Sequence, residues 1–173
     1  MQNKNQKRGE KEAIYILGID PGLSEVGFGL LKVNGPDLEC VDYGIIKTKP
    51  PTPFEERLTM IKNDLLELIN PYSIAAAGVE DLFFVTNVTN GIKVAQARGV
   101  FVQNLYEKGI PVHSFRPREI KQSVAGHAAA GKLQVQEMVQ RILGLKTLPK
   151  PHDAADGLAI ALCMVEVWKR RRI

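Results

Sequence analysis

The sequence predicts a single α/β domain in which helices cover both faces of a mixed five-stranded sheet. Its 173 residues match the length of one domain. Short apolar runs near the start are joined by tight-turn signals, which indicates an antiparallel meander. Later apolar runs alternate with longer segments of helical periodicity, which indicates parallel strands connected by helices.

The first three predicted strands form the meander. Residues 14–19 are almost entirely apolar, which favours a strand buried on both faces. Residues 26–33 and 40–48 have the composition of further strands, and the turn sequence NGPD at 34–37 lies between them. These segments predict three antiparallel strands.

The remaining elements alternate in type. Apolar residues at helical spacing between 58 and 69 predict a helix that Pro71 ends. The predicted elements after it are a strand at 73–80, a helix at 87–107, a strand at 110–115, and helices at 117–124, 132–143 and 153–170.

Composition is typical of a globular protein, with 45% hydrophobic and 24% charged residues. The charged residues 1–12 are predicted to be a disordered tail and no secretory signal, and residues 13–173 the single domain. No stretch is apolar enough to cross a membrane. Cys40 and Cys163 lack metal-ligand spacing, so a reducing cytoplasm is expected. The net charge of +4 weakly favours a polyanionic partner.

Four acidic residues suggest a metal site. Asp20 and Glu80 each end an apolar strand, while Asp153 and Asp156 lie three residues apart at the start of the last helix. If these elements adjoin, the repulsion between the carboxylates requires a cation, and oxygen ligands favour Mg²⁺ or Mn²⁺. Two such ions, about 3.5–4 Å apart, can support phosphodiester cleavage.

Each acid also has a purely structural interpretation. Asp20 in DPG could form a turn, Asp153 could cap the helix, and Glu80 could be an exposed strand end. Taken together, these structural interpretations compete poorly with a metal site, because all of them would have to hold independently.

Several blocks of the sequence resemble the RuvC family of bacterial Holliday junction resolvases. They are GIDPGLSEVGFGLL, VEDLFF, AQARGV, REIKQSVAG, GKLQVQEMV and DAADGLAIAL, in this order between about Tyr15 and Trp168. The resemblance implies an RNase H-like fold and a homodimer in which each subunit cuts one of two strands of like polarity. It implies products ending in a 5′-phosphate and two Mg²⁺ ions per subunit, with Mn²⁺ as an alternative. The acidic tetrad carries over to Asp20, Glu80, Asp153 and Asp156.

The resemblance also implies the DNA contacts. Phe83 matches an aromatic residue that reaches the junction centre, and Lys121 and Lys132 match basic residues near the scissile phosphate. Lys121 is expected to stabilise developing negative charge, and Arg118 to assist binding. A core or interface phenylalanine and solvated helix lysines are the structural alternatives.

Expected partners are four-way junction DNA and, by resemblance alone, RuvA-type junction-binding and RuvB-type branch-migration proteins. The sequence leaves three other functions open: a non-catalytic junction-binding module, an RNase H-like nuclease acting on RNA, and a nucleotide-binding enzyme. The last follows from GIDPG, which also resembles the phosphate-binding turn of the actin and sugar-kinase superfamily. No second glycine-rich nucleotide loop supports it.

Overall fold

The computed structural model describes residues 13–82 and 88–171, so the predicted tail at 1–12 lies outside the described residues. The elements are β1 (Ile14–Asp20), β2 (Glu25–Asn34), β3 (Asp37–Lys47), α1 (Phe54–Ile69), β4 (Ile74–Glu80), α2 (Val88–Glu107), β5 (Val112–Phe115), α3 (Pro117–Ala125), α4 (Lys132–Ile142) and α5 (His152–Arg170).

One mixed sheet contains all five strands, in the order β3-β2-β1-β4-β5. Strands β1, β2 and β3 are the predicted antiparallel meander, while β4 runs parallel to both β1 and β5. Because parallel strands end at the same edge, Asp20 and Glu80 finish side by side. The five-stranded mixed sheet is therefore confirmed.

β3 starts three residues earlier than the sequence indicated. Asn34 pairs directly with Asp37, so the hairpin loop contains only two residues. Gly35 has φ of 59°, a conformation that glycine adopts at little cost. The turn residues therefore extend the ladder instead of interrupting it.

Helices cover both faces of the sheet, as predicted. The first face carries α3, α4 and α5, which bury Ile120, Val139 and Leu158 among others. The second face carries α1 and α2, which bury Ile61 and Phe101. The sheet thus separates two hydrophobic cores, each covered by its own layer of helices.

Helix α5 lies unusually close to the sheet because glycines face it. A Cβ atom added to Gly18 would lie 2.2 Å from the carbonyl oxygen of Gly157, and one added to Gly29 would lie 2.6 Å from Leu158 Cα. No real side chain fits at such distances. Backbone therefore packs directly on backbone along β1, β2 and α5.

Both cysteines are free: Cys163 is buried and Cys40 is partly buried. Burial raises the pKa of each thiol to about 11. Within residues 13–82 and 88–171, no helix combines the length and apolar character needed to span a bilayer.

Candidate active site

The alternation of side chains along β1 and β4 directs the two strand-end acids to the same face. Gly18 contacts α5, so Asp20, two residues later, points to the α5 side. On β4, a Cβ atom at Gly78 would lie 2.9 Å from Ile160 Cγ2 of α5, and Glu80 follows it by two residues. Both carboxylates therefore point towards α5.

The first turns of α5 supply the other two acids. Gly27 pairs with Asp20 in the β1–β2 ladder, and a Cβ atom at Gly27 would lie 1.8 Å from the carbonyl oxygen of Asp153. This contact holds the start of α5 beside the end of β1. One carboxylate oxygen each from Asp20, Asp153 and Asp156 lies within 4.8 Å of the others. Pro151 precedes the helix as its N-cap, so Asp153 is a first-turn acid instead of the cap.

The acidic cluster is electrostatically unfavourable without a cation. Burial raises the pKa of Asp20 to about 9, and repulsion from Glu80, Asp156 and Asp153 adds to the effect. Burial also raises the pKa of Glu80, although a side-chain hydrogen bond donated by protonated Asp20 opposes this shift. The site therefore favours either a bound proton or a bound cation.

Two lysines face the cluster from α3 and α4. Lys132 Nζ lies 4.0 Å from Asp156 Oδ2, and its side chain is 71% exposed. Burial raises the pKa of Asp156, while the charges of Lys132 and Lys121 oppose that shift. The cleft that these groups share has a volume of about 360 Å³ and is lined by Asp20, Glu80, Pro117, Ile120, Lys121, Lys132, Val135, Asp156 and Ile160.

The other two predicted site residues are Arg118 and Phe83. Arg118 is exposed in the first turn of α3 and is not among the described residues that line the cleft. Phe83, the predicted junction-centre aromatic, lies outside the described residues. The structure thus brings together the four acids and two lysines, but not the whole predicted DNA-binding set.

Sequence reasoning assigned no role to Arg98 or to Gly27. Arg98 Nε donates a hydrogen bond of 3.1 Å to the carbonyl oxygen of Glu80. The available signal for Arg98 was the QARG block, which was used only for the resemblance. The glycine contact with α5 depends on how distant segments pair, and no local pattern indicates it.

The donor set fits a hard divalent cation. Its potential ligand atoms are all carboxylate oxygens, which Mg²⁺ and Mn²⁺ prefer. Burial raises the pKa of Asp20, Glu80 and Asp156, so their charged forms are disfavoured in the cation-free fold. A cation in the cluster would remove that penalty.

The model of the family described as "Crossover junction endodeoxyribonuclease RuvC" matches residues 16–164. The chain belongs to the RuvC family. The RuvC of Chloroflexus aurantiacus is 46% identical over 147 residues, covering 85% of this chain and 90% of that protein. The RuvC of Thermotoga maritima is 43% identical over 161 residues, covering 93% of this chain and 96% of that protein.

Solved structures agree with this assignment. Thermus thermophilus RuvC in complex with a Holliday junction substrate matches with a TM-score of 0.85 and 35% identity, over 91% of this chain and 96% of that one. The yeast mitochondrial resolvase Ydc2 matches with a TM-score of 0.66 at 14% identity, which supports the fold alone. The RuvC-type, RNase H-like fold is confirmed. The non-catalytic and RNA-cleaving alternatives are not favoured.

Proposed function

We propose that the chain is a structure-specific DNA endonuclease that resolves Holliday junctions by paired, symmetrical cleavage during recombination and repair. The convergence of Asp20, Asp153 and Asp156 within 4.8 Å, beside Glu80 in one cleft, is the observation that carries this proposal. The RuvC relatives are named crossover junction endodeoxyribonucleases, and the Thermus thermophilus structure contains junction DNA.

Asp20, Glu80, Asp153 and Asp156 are the proposed ligands of two Mg²⁺ ions, with Mn²⁺ as an alternative. When bound, such ions neutralise the carboxylates, lower the pKa of water and stabilise negative charge on a phosphodiester. The charges of Glu80, Asp156 and Asp153 all raise the pKa of Asp20, so a bound cation would stabilise its charged form. Hydrolysis leaves a 5′-phosphate and a nick that can be ligated.

In this proposal, Lys121 and Lys132 contact the phosphates of the DNA. Lys121 lines the acidic cleft, where an ammonium group can stabilise charge developing on the scissile phosphate. Lys132 is mostly exposed at the rim and holds the neighbouring backbone phosphate. Arg118 adds a phosphate contact from α3, and Phe83 stacks at the junction centre. Lys121 thus belongs to the catalytic set, and all four residues belong to the DNA-binding set.

Symmetrical cleavage requires two active sites related by a two-fold axis, so we propose a homodimer. Helix α2 is the proposed interface. Its outer side exposes Ile92 (54%) and Tyr106 (81%), which are 14 residues apart and so lie on one side of the helix. A cytoplasmic location and the RuvA-type and RuvB-type partners are further predictions.

The proposal is tested with a synthetic four-way DNA junction labelled on each strand in turn. The protein should produce paired nicks at symmetrical positions only when Mg²⁺ or Mn²⁺ is present. Asp20→Asn is the matched control, because it keeps the side-chain shape but removes the proposed ligand charge. Binding without nicks would favour the non-catalytic module, and preferred cleavage of structured RNA in competition would favour the RNA nuclease.

A further inference from the structure

Arg98 of α2 joins three groups at the adjacent ends of β4 and β5. Its Nε donates to the carbonyl oxygen of Glu80 at 3.1 Å, and its Nη2 donates to Ser114 Oγ at 2.6 Å. The same Nη2 lies 3.5 Å from Asp81 Oδ1. A single guanidinium therefore connects the last residue of β4, the residue after it, and β5.

This connection comes from the face of the sheet opposite the proposed metal site. Helix α2 packs in the core shared with α1, whereas the carboxylate of Glu80 points to the α5 side. Arg98 thus holds the peptide group of Glu80 and leaves its carboxylate to interact with the acidic cluster. From the β5 side, the N–H of Asp81 donates to the carbonyl oxygen of Phe115 at 2.8 Å.

The chemistry of the contact requires arginine. A planar guanidinium donates to Glu80 and Ser114 from two nitrogen atoms held at a fixed angle. A lysine side chain has a single ammonium nitrogen and cannot reproduce both donor positions. The Arg98 side chain is 22% exposed, and its bond to the carbonyl oxygen of Glu80 is partly buried, whereas its bond to Ser114 is exposed. Arg98 bonds to the main-chain carbonyl oxygen of Glu80 instead of its carboxylate, so we treat its contribution as positional.

We propose that Arg98 is a positioning residue that fixes the end of β4 and thereby sets the affinity of the acidic cluster for divalent cations. This inference rests on the proposed role of Glu80 as a metal ligand. Groups that orient metal ligands through one further contact typically change metal affinity or activity about 10–100-fold when removed. A residue that only supports the fold would lower stability without changing the cation dependence selectively.

The test compares the unmodified full chain with four variants, each of which carries one substitution. Arg98→Lys keeps the positive charge but loses the planar guanidinium group, and Arg98→Gln loses both. Asp81→Asn removes the ion pair while leaving the bonds from Arg98 to Glu80 and Ser114. Lys62→Gln removes one positive charge from the exposed surface of α1, on the opposite face of the sheet from the acids.

Calorimetric titration of the DNA-free protein with Mn²⁺ is the first measurement. Both Arg98 variants should bind Mn²⁺ about 10-fold more weakly, whereas Asp81→Asn and Lys62→Gln should stay within about 2-fold of the unmodified chain. Amide hydrogen exchange of the cation-free protein is the second measurement. It should become faster at Asp81 in the Arg98 variants alone, because its bond to Phe115 is no longer reinforced.

Wild-type Mn²⁺ affinity in Arg98→Gln would overturn the proposal, as would an equal loss in Asp81→Asn. If Arg98→Gln does not fold, Arg98→Lys and Ser114→Ala decide, since each disturbs the same contact more mildly. Glu80→Gln separates this inference from the proposed function. Unchanged Mn²⁺ binding and cleavage in Glu80→Gln would reject Glu80 as a ligand. A loss there, with unchanged Arg98 variants, would reject only the positioning role.

Discussion

At the scale of single residues, Asp20 lies where both burial and neighbouring charges oppose its negative form. Its pKa is raised from 3.8 to about 9, first by burial and then by Glu80, Asp156 and Asp153. A side chain so placed is unfavourable for the fold unless a proton or a cation is bound. The charged form of Asp20 that metal binding would need is therefore the form that the fold destabilises.

Replacing Asp20 with Asn should separate the effect of this residue on cleavage from its effect on stability. We expect junction cleavage to fall by more than about 100-fold, because even outer contacts of metal ligands are worth about 10–100-fold. The melting temperature of the cation-free protein at pH 8 should rise, because asparagine does not have to take up the proton that folded Asp20 holds at this pH. Cleavage assays and thermal unfolding in EDTA measure the two effects, and wild-type cleavage by the folded variant would contradict the assignment.

The raised pKa of Asp20 also predicts how stability depends on pH. The folded chain keeps a proton on Asp20 up to about pH 9, whereas the unfolded chain releases it near 3.8. Its contribution to stability is therefore complete below pH 4 and is lost as the pH rises towards 9. Urea unfolding in EDTA at pH 5, 7 and 9 should show this decrease in the unmodified chain, and a smaller one in Asp20→Asn. Parallel pH profiles for the two proteins would contradict the prediction.

At the scale of elements, the site depends on how closely α5 approaches β1 and β2. The apolar runs and the acids that end them could be read from the sequence, because burial on two faces leaves a local pattern. The contact between Gly27 and Asp153 could not, since it joins residues 126 positions apart through tertiary packing alone. The acids of the candidate site were thus predictable, but the glycines that bring them together were not.

Gly27→Ala tests this packing. Its Cβ atom would lie 1.8 Å from the carbonyl oxygen of Asp153, so the start of α5 must move away from Asp20. We expect Mn²⁺ affinity to fall at least about 10-fold, with a clear loss of thermal stability.

The matched control for Gly27→Ala is Gly131→Ala. There the nearest atom to the new Cβ, within the described residues, would be Gln134 Oε1 at 3.9 Å, and the backbone φ of −73° suits alanine. This variant should keep its Mn²⁺ affinity. Equal affinities for the two variants in calorimetry would show that the approach of α5 does not set the geometry of the acidic cluster.

At the scale of the whole molecule, the sheet separates two functions. The layer of α3, α4 and α5 forms the acidic cleft, and the layer of α1 and α2 carries the proposed dimer surface. The sequence predicted two covered faces from its alternation of elements. It could not predict that Arg98 reaches from α2 to the end of β4 in the sheet, because that contact depends on the path of α2.

Charges introduced on the outer side of α2 should separate the subunits. Ile92→Glu combined with Tyr106→Glu places two like charges on a surface that the proposed dimer buries. Analytical ultracentrifugation at micromolar concentration should then show monomers, and junctions should receive single nicks instead of paired ones. Met60→Glu on α1 is the control, since Met60 is also exposed but lies on another helix. An unchanged dimer in the double variant would place the interface elsewhere.

Because α5 contacts the glycines of β1 and β2, the two walls of the cleft differ in how well they tolerate amino-acid substitutions. On the α5 wall, main chain touches main chain, and even a methyl group has no room at Gly18, Gly27 or Gly157. The opposite wall includes the long side chains of Lys121 on α3 and Lys132 on α4, whose shape and charge can be altered while the backbone stays in place. Attempts to retarget this enzyme to other branched nucleic acids should therefore begin on the lysine-bearing wall.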